Sequence, residues 1–125
     1  MIYGIGTDIV YISRISKILQ KYGEKFLKKI YTEQEIEISK KYSSQEMQAR
    51  YFAKRFAAKE AFVKALGTGF SEGIVMKDIA IHSDAKGKPY ITISKDLISK
   101  HYIIHLSLSD DEDYAIAFVI IYVYT

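Results

Sequence analysis

Hydrophobic and polar residues alternate at the start of the chain and then change to a helical spacing. From Ile2 to Val10 the side chains follow the two-residue period of a β-strand, and Asp8 shares one face of that strand with two glycines. Apolar residues then recur every three or four positions from Ile12 to Tyr22, which predicts a helix that ends at Gly23. The sequence therefore opens with a strand that carries one carboxylate, followed by an amphipathic helix.

Three further helices are predicted before residue 70. A short one is expected over 24–30, and Thr32 with Glu35 forms a capping box for the next, because the hydroxyl and the carboxylate satisfy free backbone amides reciprocally. The longest helix is expected over 44–66 and ends at two closely spaced glycines.

The pattern changes to that of strands after residue 70. Four are predicted, over Val75–His82, Pro89–Ser94, Tyr102–Leu108 and Tyr114–Tyr124. The last is apolar on both faces, so we expect it to be central or covered by another subunit. Because no repeat or linker divides the chain, residues 1–125 are interpreted as a single α+β domain.

Composition narrows the class of protein. Hydrophobic residues make up 49% and charged residues 26% of the 125 positions, as in folded globular proteins. The absence of cysteine excludes disulfides, thiolate nucleophiles and cysteine-based zinc sites. The N-terminus lacks the pattern of a signal peptide, and no apolar run reaches the roughly 20 residues of a membrane-spanning helix. We therefore expect a soluble, cytoplasmic protein without a membrane partner.

Positive charge is concentrated in the first part of the chain. Residues 1–70 contain 13 Lys and Arg against 7 Asp and Glu, whereas residues 71–125 contain 5 against 8. Within the first predicted helix, Arg14, Lys17 and Lys21 fall in a sector of about 60° and form a basic stripe. This stripe is either a solvated face or a surface for an acidic or phosphorylated partner.

The second half of the long helix combines apolar surroundings with four charges. Between Tyr51 and Leu66 the helix is apolar nearly all round, which is typical of a buried helix, yet it contains Arg55, Lys59, Glu60 and Lys64. Buried charges are costly unless they are paired or contact an ion or ligand. Either these side chains reach water, with Glu60 and Lys64 as an ordinary i, i+4 pair, or they bind a ligand.

Asp8 and Glu60 are candidate metal ligands. Magnesium is commonly held by one or two carboxylates, while water and substrate phosphate fill its other positions. Asp8 could equally be a helix cap or turn residue. The segment Gly67–Gly69 suits close approach to a phosphate or a simple helix C-cap, and both interpretations stay open.

Two blocks of sequence resemble the signatures of the holo-acyl-carrier-protein synthases. The first is Gly4-Ile5-Gly6-Thr7-Asp8-Ile9 with Arg14-Ile15, and the second, from Arg55 to Gly69, reads RFAAKEAFVKALGTG. Two further segments are similar to parts of that family, namely Gly87-Lys88-Pro89, and Leu106-Ser107-Leu108-Ser109 followed by Tyr114-Ala115. The resemblance covers essentially the whole chain.

The resemblance implies a structure and a set of site residues. The expected fold is a compact α+β domain with a mainly antiparallel sheet, assembled as a homotrimer with each active site between two subunits. Asp8 and Glu60 would bind Mg²⁺, and Asp8, Glu60 and Lys64 would carry catalysis. The residues expected to bind coenzyme A are Arg55, Lys59, Lys64, Gly67, Thr68, Gly69 and, from a neighbouring subunit, Pro89. Arg14 would lie at the docking surface for apo acyl carrier protein, and we assign Lys17 and Lys21 to the same surface.

The implied activity is transfer of 4'-phosphopantetheine from coenzyme A to a serine of apo acyl carrier protein, in support of fatty acid synthesis. No nucleic-acid partner is implied. Many relatives carry histidine where this chain has Asp110, which leaves the role of that position open.

From the residues alone, two alternatives are a small basic RNA-binding module, whose binding would fall with salt and survive EDTA, and an oligomeric scaffold without catalysis.

Overall fold

Four helices and five strands form in the part of the chain that the structure describes, which confirms the predicted α+β class. The structure is a computed structural model and describes residues 1–70, 73–94 and 96–124. In chain order the elements are β1 (Ile2–Tyr11), α1 (Ile12–Tyr22), α2 (Glu24–Ile30), α3 (Glu33–Ser39), α4 (Gln45–Leu66), β2 (Ile79–Ser83), β3 (Pro89–Ile93), β4 (Tyr102–Asp110) and β5 (Tyr114–Val123). None of the described helices is long and apolar enough to cross a membrane.

Side-chain and glycine caps set the ends of the helices. At the start of α3 the predicted capping box forms, with the Thr32 hydroxyl accepting from the Glu35 amide at 3.1 Å and the Glu35 carboxylate accepting from the Thr32 amide at 2.9 Å. Ser44 caps α4 by accepting from the Met47 amide at 3.1 Å. Gly67 ends α4 at φ 82°, a left-handed conformation that glycine adopts without steric cost. Its interpretation as a C-cap is confirmed.

The strands pair antiparallel throughout the described chain, in two separate sheets. One has the order β1-β5-β4, and the other is the β2-β3 hairpin. β5 is therefore central, as its apolar residues on both faces predicted. In the β1-β5 register Asp8 lies opposite Ala117, near the middle of the pair.

The predicted strand Val75–His82 is wrong over its first half. Residues Met76–Asp78 form a 3-10 turn instead, and β2 begins at Ile79. The Asp78 carboxylate accepts hydrogen bonds from the Val75 amide and from the Ser94 hydroxyl, both at 3.0 Å. The Asp78 carboxylate thus accepts from the Val75 amide, which in a strand would donate to the neighbouring strand instead.

Two glycines allow α4 to lie directly against β1. A Cβ atom added at Gly4 would lie 2.0 Å from the carbonyl oxygen of Ala65, and one added at Gly6 would lie 2.0 Å from that of Ala61. Any side chain at either position would force the helix and the strand apart. Because side chains on a strand alternate, Asp8 follows Gly6 on the same face and points toward α4.

α4 is the central element of the core. It packs on β1 and β5 on one side, and on α1, α3 and β2 on others. The buried cluster therefore combines residues from both halves of the chain, such as Ile15, Phe62, Ile79 and Val119. Lys59 is the charged residue of α4 that is fully buried, between the helix and the layer formed by α2, α3 and the hairpin.

Candidate active site

Asp8 and Glu60 form a pair of carboxylates where β1 meets α4. Burial, followed by the negative charge of Asp8, raises the pKa of Glu60, while the charges of Lys64 and Arg14 lower it. Asp8 is thus close enough to repel an ionised Glu60. The structure brings together the two residues that the sequence predicted as metal ligands.

Lys64 lies at the same junction and contacts Asp8. Its Nζ is 3.1 Å from Asp8 Oδ1 and donates to the Thr7 carbonyl oxygen at 3.0 Å. Within the described residues, Asp8 is the only ion-pair partner of Lys64 closer than 4 Å, so the alternative i, i+4 pair with Glu60 does not form. The Lys64 side chain is 54% exposed, which leaves its ammonium free to turn toward a ligand.

Lys59 does not fit the phosphate-binding role that the sequence predicted. Its side chain has no exposed surface, and its Nζ donates to Glu35 Oε1 at 2.7 Å and to the carbonyl oxygens of Ile30 at 2.9 Å and Met76 at 3.2 Å. Burial lowers the pKa of Lys59, an effect that Glu35 opposes. All three ammonium protons are used inside the protein, so no donor is left for a phosphate.

Glu35 is the residue that sequence reasoning missed. The capping box accounts for one of its hydrogen bonds, and that gave no reason to look for a second partner. Its carboxylate is nonetheless buried against Lys59, 24 positions away. Its flanking residues carry no signal of this pairing, because the contact depends on how α3 packs against α4.

Arg55 lies on a different side of α4 from Glu60. Five residues of helix turn the side chain by about 140° from Glu60. Its guanidinium stacks 3.8 Å from the centre of the Tyr51 ring, and its Nε is buried with no hydrogen-bond partner in the described part of the chain. It lines a cavity of about 490 Å³ between α3, α4 and β2, whose charged lining also includes Lys41, Glu37 and Asp84. Arg55 can offer donors to an anion in this cavity, beside two carboxylates that would repel it.

The remaining residues predicted to bind coenzyme A lie beyond α4. Gly69 has φ 64°, so the turn after α4 contains a second left-handed glycine. The Thr68 hydroxyl donates to the Gly69 carbonyl oxygen at 3.3 Å. Pro89 begins β3, opposite Ser83 in the hairpin. Their proposed contacts with coenzyme A stay predictions.

The basic stripe of α1 is exposed and adjoins the carboxylate pair. Arg14, Lys17 and Lys21 face solvent, while Ile12 and Ile15 of the same helix are buried. Burial and the charge of Asp8 raise the pKa of Glu60, and the positive charge of Arg14 partly opposes this rise. The stripe therefore begins beside the candidate active site.

Asp110 has partners within its own chain. Its carboxylate lies 2.9 Å from a guanidinium nitrogen of Arg50 and 3.4 Å from Lys54 Nζ. Arg50 also contacts the carbonyl oxygen of Asp111 in the β4-β5 turn. These contacts attach the turn to α4. They give Asp110 a structural role that does not require a bound ligand.

The class of protein follows from comparison with known sequences. Residues 4–119 match the family model of the 4'-phosphopantetheinyl transferase superfamily. The chain is 76% identical over 121 residues to a holo-[acyl-carrier-protein] synthase of Wolbachia pipientis from Culex pipiens, covering 97% of this chain and 98% of the relative.

Solved structures of the same kind have the same fold. The holo-[acyl-carrier-protein] synthase of Neisseria meningitidis matches with a TM-score of 0.86 at 41% identity, covering 98% of this chain and 99% of the other. That of Bacillus anthracis, in complex with CoA (3',5'-ADP), matches with a TM-score of 0.83 at 38% identity, covering 97% and 96%. The chain therefore belongs to the 4'-phosphopantetheinyl transferase superfamily, among its holo-acyl-carrier-protein synthases.

Proposed function

We propose that the chain uses Asp8, Glu60 and Lys64 as the catalytic centre for loading acyl carrier protein. The reaction transfers the 4'-phosphopantetheine group of coenzyme A to a serine of apo acyl carrier protein. The serine oxygen bonds to the phosphorus that carries the pantetheine arm, and the bond from that phosphorus to the bridging oxygen breaks. 3',5'-Adenosine bisphosphate leaves, and the serine proton passes to a base. The observation that carries the assignment is the meeting of two carboxylates and one ammonium at the β1-α4 junction.

The carboxylate pair fits magnesium. Asp8 and Glu60 supply hard oxygen ligands, and the Lys64 ammonium 3.1 Å from Asp8 Oδ1 indicates that this carboxylate already attracts a cation. No third carboxylate or histidine joins them among the described residues, so water and substrate phosphate would complete the coordination shell. A magnesium ion bound there would neutralise negative charge that develops on the pyrophosphate.

The chain's own cations would position coenzyme A. Phosphoryl transfer depends mainly on positioning and on neutralising charge, and the half-exposed Lys64 side chain could contact a phosphate oxygen instead of Asp8. Arg55 would bind a second anionic group in its cavity. Gly67, Thr68 and Gly69 would border the nucleotide, with Pro89 supplied by a neighbouring subunit. Lys59 is left out of this set because of its buried partners.

The basic stripe of α1 would receive the carrier protein. An acidic partner would be steered by Arg14, Lys17 and Lys21 and oriented by them. Because Arg14 lies near enough to Glu60 for its charge to act on that carboxyl, a carrier docked on this stripe would lie close to the carboxylate pair.

We also propose that the chain assembles as a homotrimer with active sites between subunits. Support comes from the sheet face opposite α4, where apolar side chains form one continuous exposed patch. This sheet-face patch consists of Ile2, Ile5, Ile9, Tyr11, Ile103, Ile116, Phe118 and Tyr122. Exposed apolar patches of this kind mark interaction surfaces. The proposal keeps the cytoplasmic location predicted from the sequence.

Mass spectrometry of the carrier protein tests the function directly. Apo acyl carrier protein incubated with the protein, coenzyme A and magnesium should gain the mass of one phosphopantetheine group. A carrier whose acceptor serine is replaced by alanine is the matched control and should gain nothing. If the unmodified carrier also keeps its mass while a known synthase loads it in parallel, the proposed function is wrong.

A second arm of the assay separates the alternatives. EDTA should stop the transfer, and excess magnesium should restore it. An RNA-binding module would instead retain RNA in EDTA and lose it with added salt. A scaffold without catalysis would leave the carrier unmodified in every arm.

A further inference from the structure

The buried ion pair between Lys59 and Glu35 has every polar atom satisfied. Lys59 uses its three protons on the Glu35 carboxylate and on the carbonyl oxygens of Ile30 and Met76. Glu35 Oε1 also accepts from the Thr32 amide at 2.9 Å, and Glu35 Oε2 accepts from the Ile81 amide at 2.8 Å. A pair with no exposed surface on the lysine and 2% on the glutamate is tolerated only with such complete bonding.

This pair joins five segments of the chain. Ile30 ends α2, Thr32 caps α3, Met76 opens the 3-10 turn, and Ile81 lies in β2. All of them are connected through Lys59 to α4. Since a buried pair adds little net stability compared with apolar side chains of the same volume, stability alone does not explain the arrangement.

Two of the segments that the pair holds adjoin residues expected to border coenzyme A. The chain leaves α4 at Gly67, and the Met76 carbonyl oxygen, nine residues later, bonds to Lys59 about 10 Å back along the helix from its end. The pair therefore fixes the chain beyond the turn at Gly67–Gly69 to the same helix from which that turn starts. Ile81 belongs to the hairpin whose other strand begins at Pro89.

The pair also sets the rotation of α4. Lys59 directly precedes Glu60, about 100° away around the helix, and lies one turn after Arg55. Ala61 and Ala65 hold the opposite side of the helix against β1. A helix held on both sides keeps Glu60 beside Asp8.

We propose that Lys59 and Glu35 are positioning residues that hold the turn after α4 and the β2-β3 hairpin in the geometry that binds coenzyme A. This rests on the proposed function. Neither side chain touches the substrate in this scheme. They act through Met76 and Ile81, and loss of the pair raises KM for coenzyme A more than KM for acyl carrier protein.

The decisive variant is Lys59→Met combined with Glu35→Gln. It removes both charges at nearly constant volume and keeps a carboxamide oxygen for the capping box, while the carboxamide NH2 group can no longer accept from the Ile81 amide. It also removes the bonds to Met76 and Ile30. We expect KM for coenzyme A to rise at least about tenfold, because small displacements of positioning groups have large effects, while KM for the carrier changes less than about twofold. Lys59→Met alone leaves a buried unpaired carboxylate and is the variant that loses stability.

Tyr31→Phe is the matched control. It removes a buried hydrogen bond of 2.8 Å from the Tyr31 hydroxyl to the Phe52 carbonyl oxygen in the same layer, but touches neither Met76 nor Ile81. It should lower the melting temperature and leave both KM values unchanged. If the double variant behaves like this control, the pair has only a structural role and the proposal is overturned.

Hydrogen exchange gives a readout that does not need turnover. In the double variant, amides of the 3-10 turn and of β2 should exchange at least about tenfold faster than in the wild type, while those of β1 and β5 stay protected. Unchanged exchange would overturn the proposal even if KM rose. If the wild type transfers nothing, the proposed function fails alone, and the exchange rates still decide whether the pair tethers these segments.

Discussion

Individual charged residues in this protein depend on partners that lie far away in the sequence. Asp8 interrupts an apolar strand and Glu60 an apolar helix, and only the fold places them together. Lys64 completes the group by contacting Asp8. The chemistry of the site is therefore that of a small cluster in which each charge alters the others.

Loss of either carboxylate should remove most of the turnover. Asp8→Asn and Glu60→Gln each delete a proposed magnesium ligand, and a metal that stabilises transition-state charge contributes several kcal/mol, which corresponds to a loss of roughly 100-fold or more in kcat. Steady-state rates at low and high magnesium measure the effect, and excess magnesium should rescue part of it. Near-normal rates for both variants at low magnesium would rule out the assignment.

Glu60 should also make the metal-free protein sensitive to pH. Burial and the charge of Asp8 raise the pKa of Glu60 in the folded protein. Ionising this carboxyl therefore costs more in the folded than in the unfolded state. Stability is present at low pH and is lost as the pH rises through the folded-state pKa. Metal-free Glu60→Gln should therefore melt at a higher temperature than the wild type at pH 8. The difference should vanish as pH falls to about 3, below the ordinary pKa of glutamate, where the carboxyl is protonated in both states. Equal melting curves at both pH values would contradict this.

The sequence located these charges but could not choose their partners. A charged residue in an apolar helix indicates either a bound ligand or a buried partner. Glu60 and Lys59 both stand in this pattern, so the sequence alone does not distinguish them. Only the packing of α3 against α4 distinguishes them, by burying Glu35 beside Lys59. The carboxylate pair was therefore predictable from chemistry and resemblance, whereas the role of Lys59 was not.

At the level of elements, the contact between β1 and α4 determines whether the site exists. Gly6→Ala would place a Cβ 2.0 Å from the Ala61 carbonyl oxygen and should destabilise the protein by about 3 kcal/mol or more, because neither backbone can yield cheaply. Gln20→Ala, at an exposed position of α1 away from the sheet-face patch, is the control and should change stability by less than about 0.5 kcal/mol. Urea denaturation measures both. Equal stability of the two variants would show that the helix can move away freely.

α1 provides the test of carrier recognition. Arg14→Glu with Lys21→Glu should raise KM for apo acyl carrier protein at least about fivefold and leave KM for coenzyme A nearly unchanged, since reversed charge opposes an acidic partner. Added salt should weaken the wild type's carrier binding. Lys40→Glu with Lys100→Glu makes the same change in net charge at exposed sites outside the stripe. Should the first pair leave carrier KM unaltered at low ionic strength, the stripe is only a solvated face.

Most elements could be predicted because their sequence signals are local. The capping box of α3, the serine cap of α4 and the glycine after it are each decided within a few residues. The start of β2 was misplaced because Asp78 takes the Val75 amide and also accepts from Ser94, a contact across the hairpin. The division into two sheets likewise depends on long-range pairing that periodicity does not encode.

For the whole molecule, assembly is the property still to be measured. The sheet-face patch includes Ile5, 59% exposed, and Phe118, 41% exposed, on neighbouring strands. Sedimentation should give a trimer, and Ile5→Glu with Phe118→Lys should dissociate it and abolish turnover. Met47→Glu, which changes an exposed apolar residue outside the patch, should leave the trimer intact. A fully active wild-type monomer at micromolar concentration would contradict this expectation.

The pairing of β1 with β5 has a consequence for synthesis on the ribosome. Among the described strands β1 is synthesised first, but its sheet partner is β5. Ile9 therefore cannot pair with Ile116 until β5 has been synthesised. At 5–20 residues per second, the interval is roughly 5–20 s. For the second half of it the nascent chain contains both Asp8 and Glu60 but lacks β5, which packs on both β1 and α4. The proposed metal site should therefore form only once β5 has emerged, and the apolar first strand is open to chaperones until then.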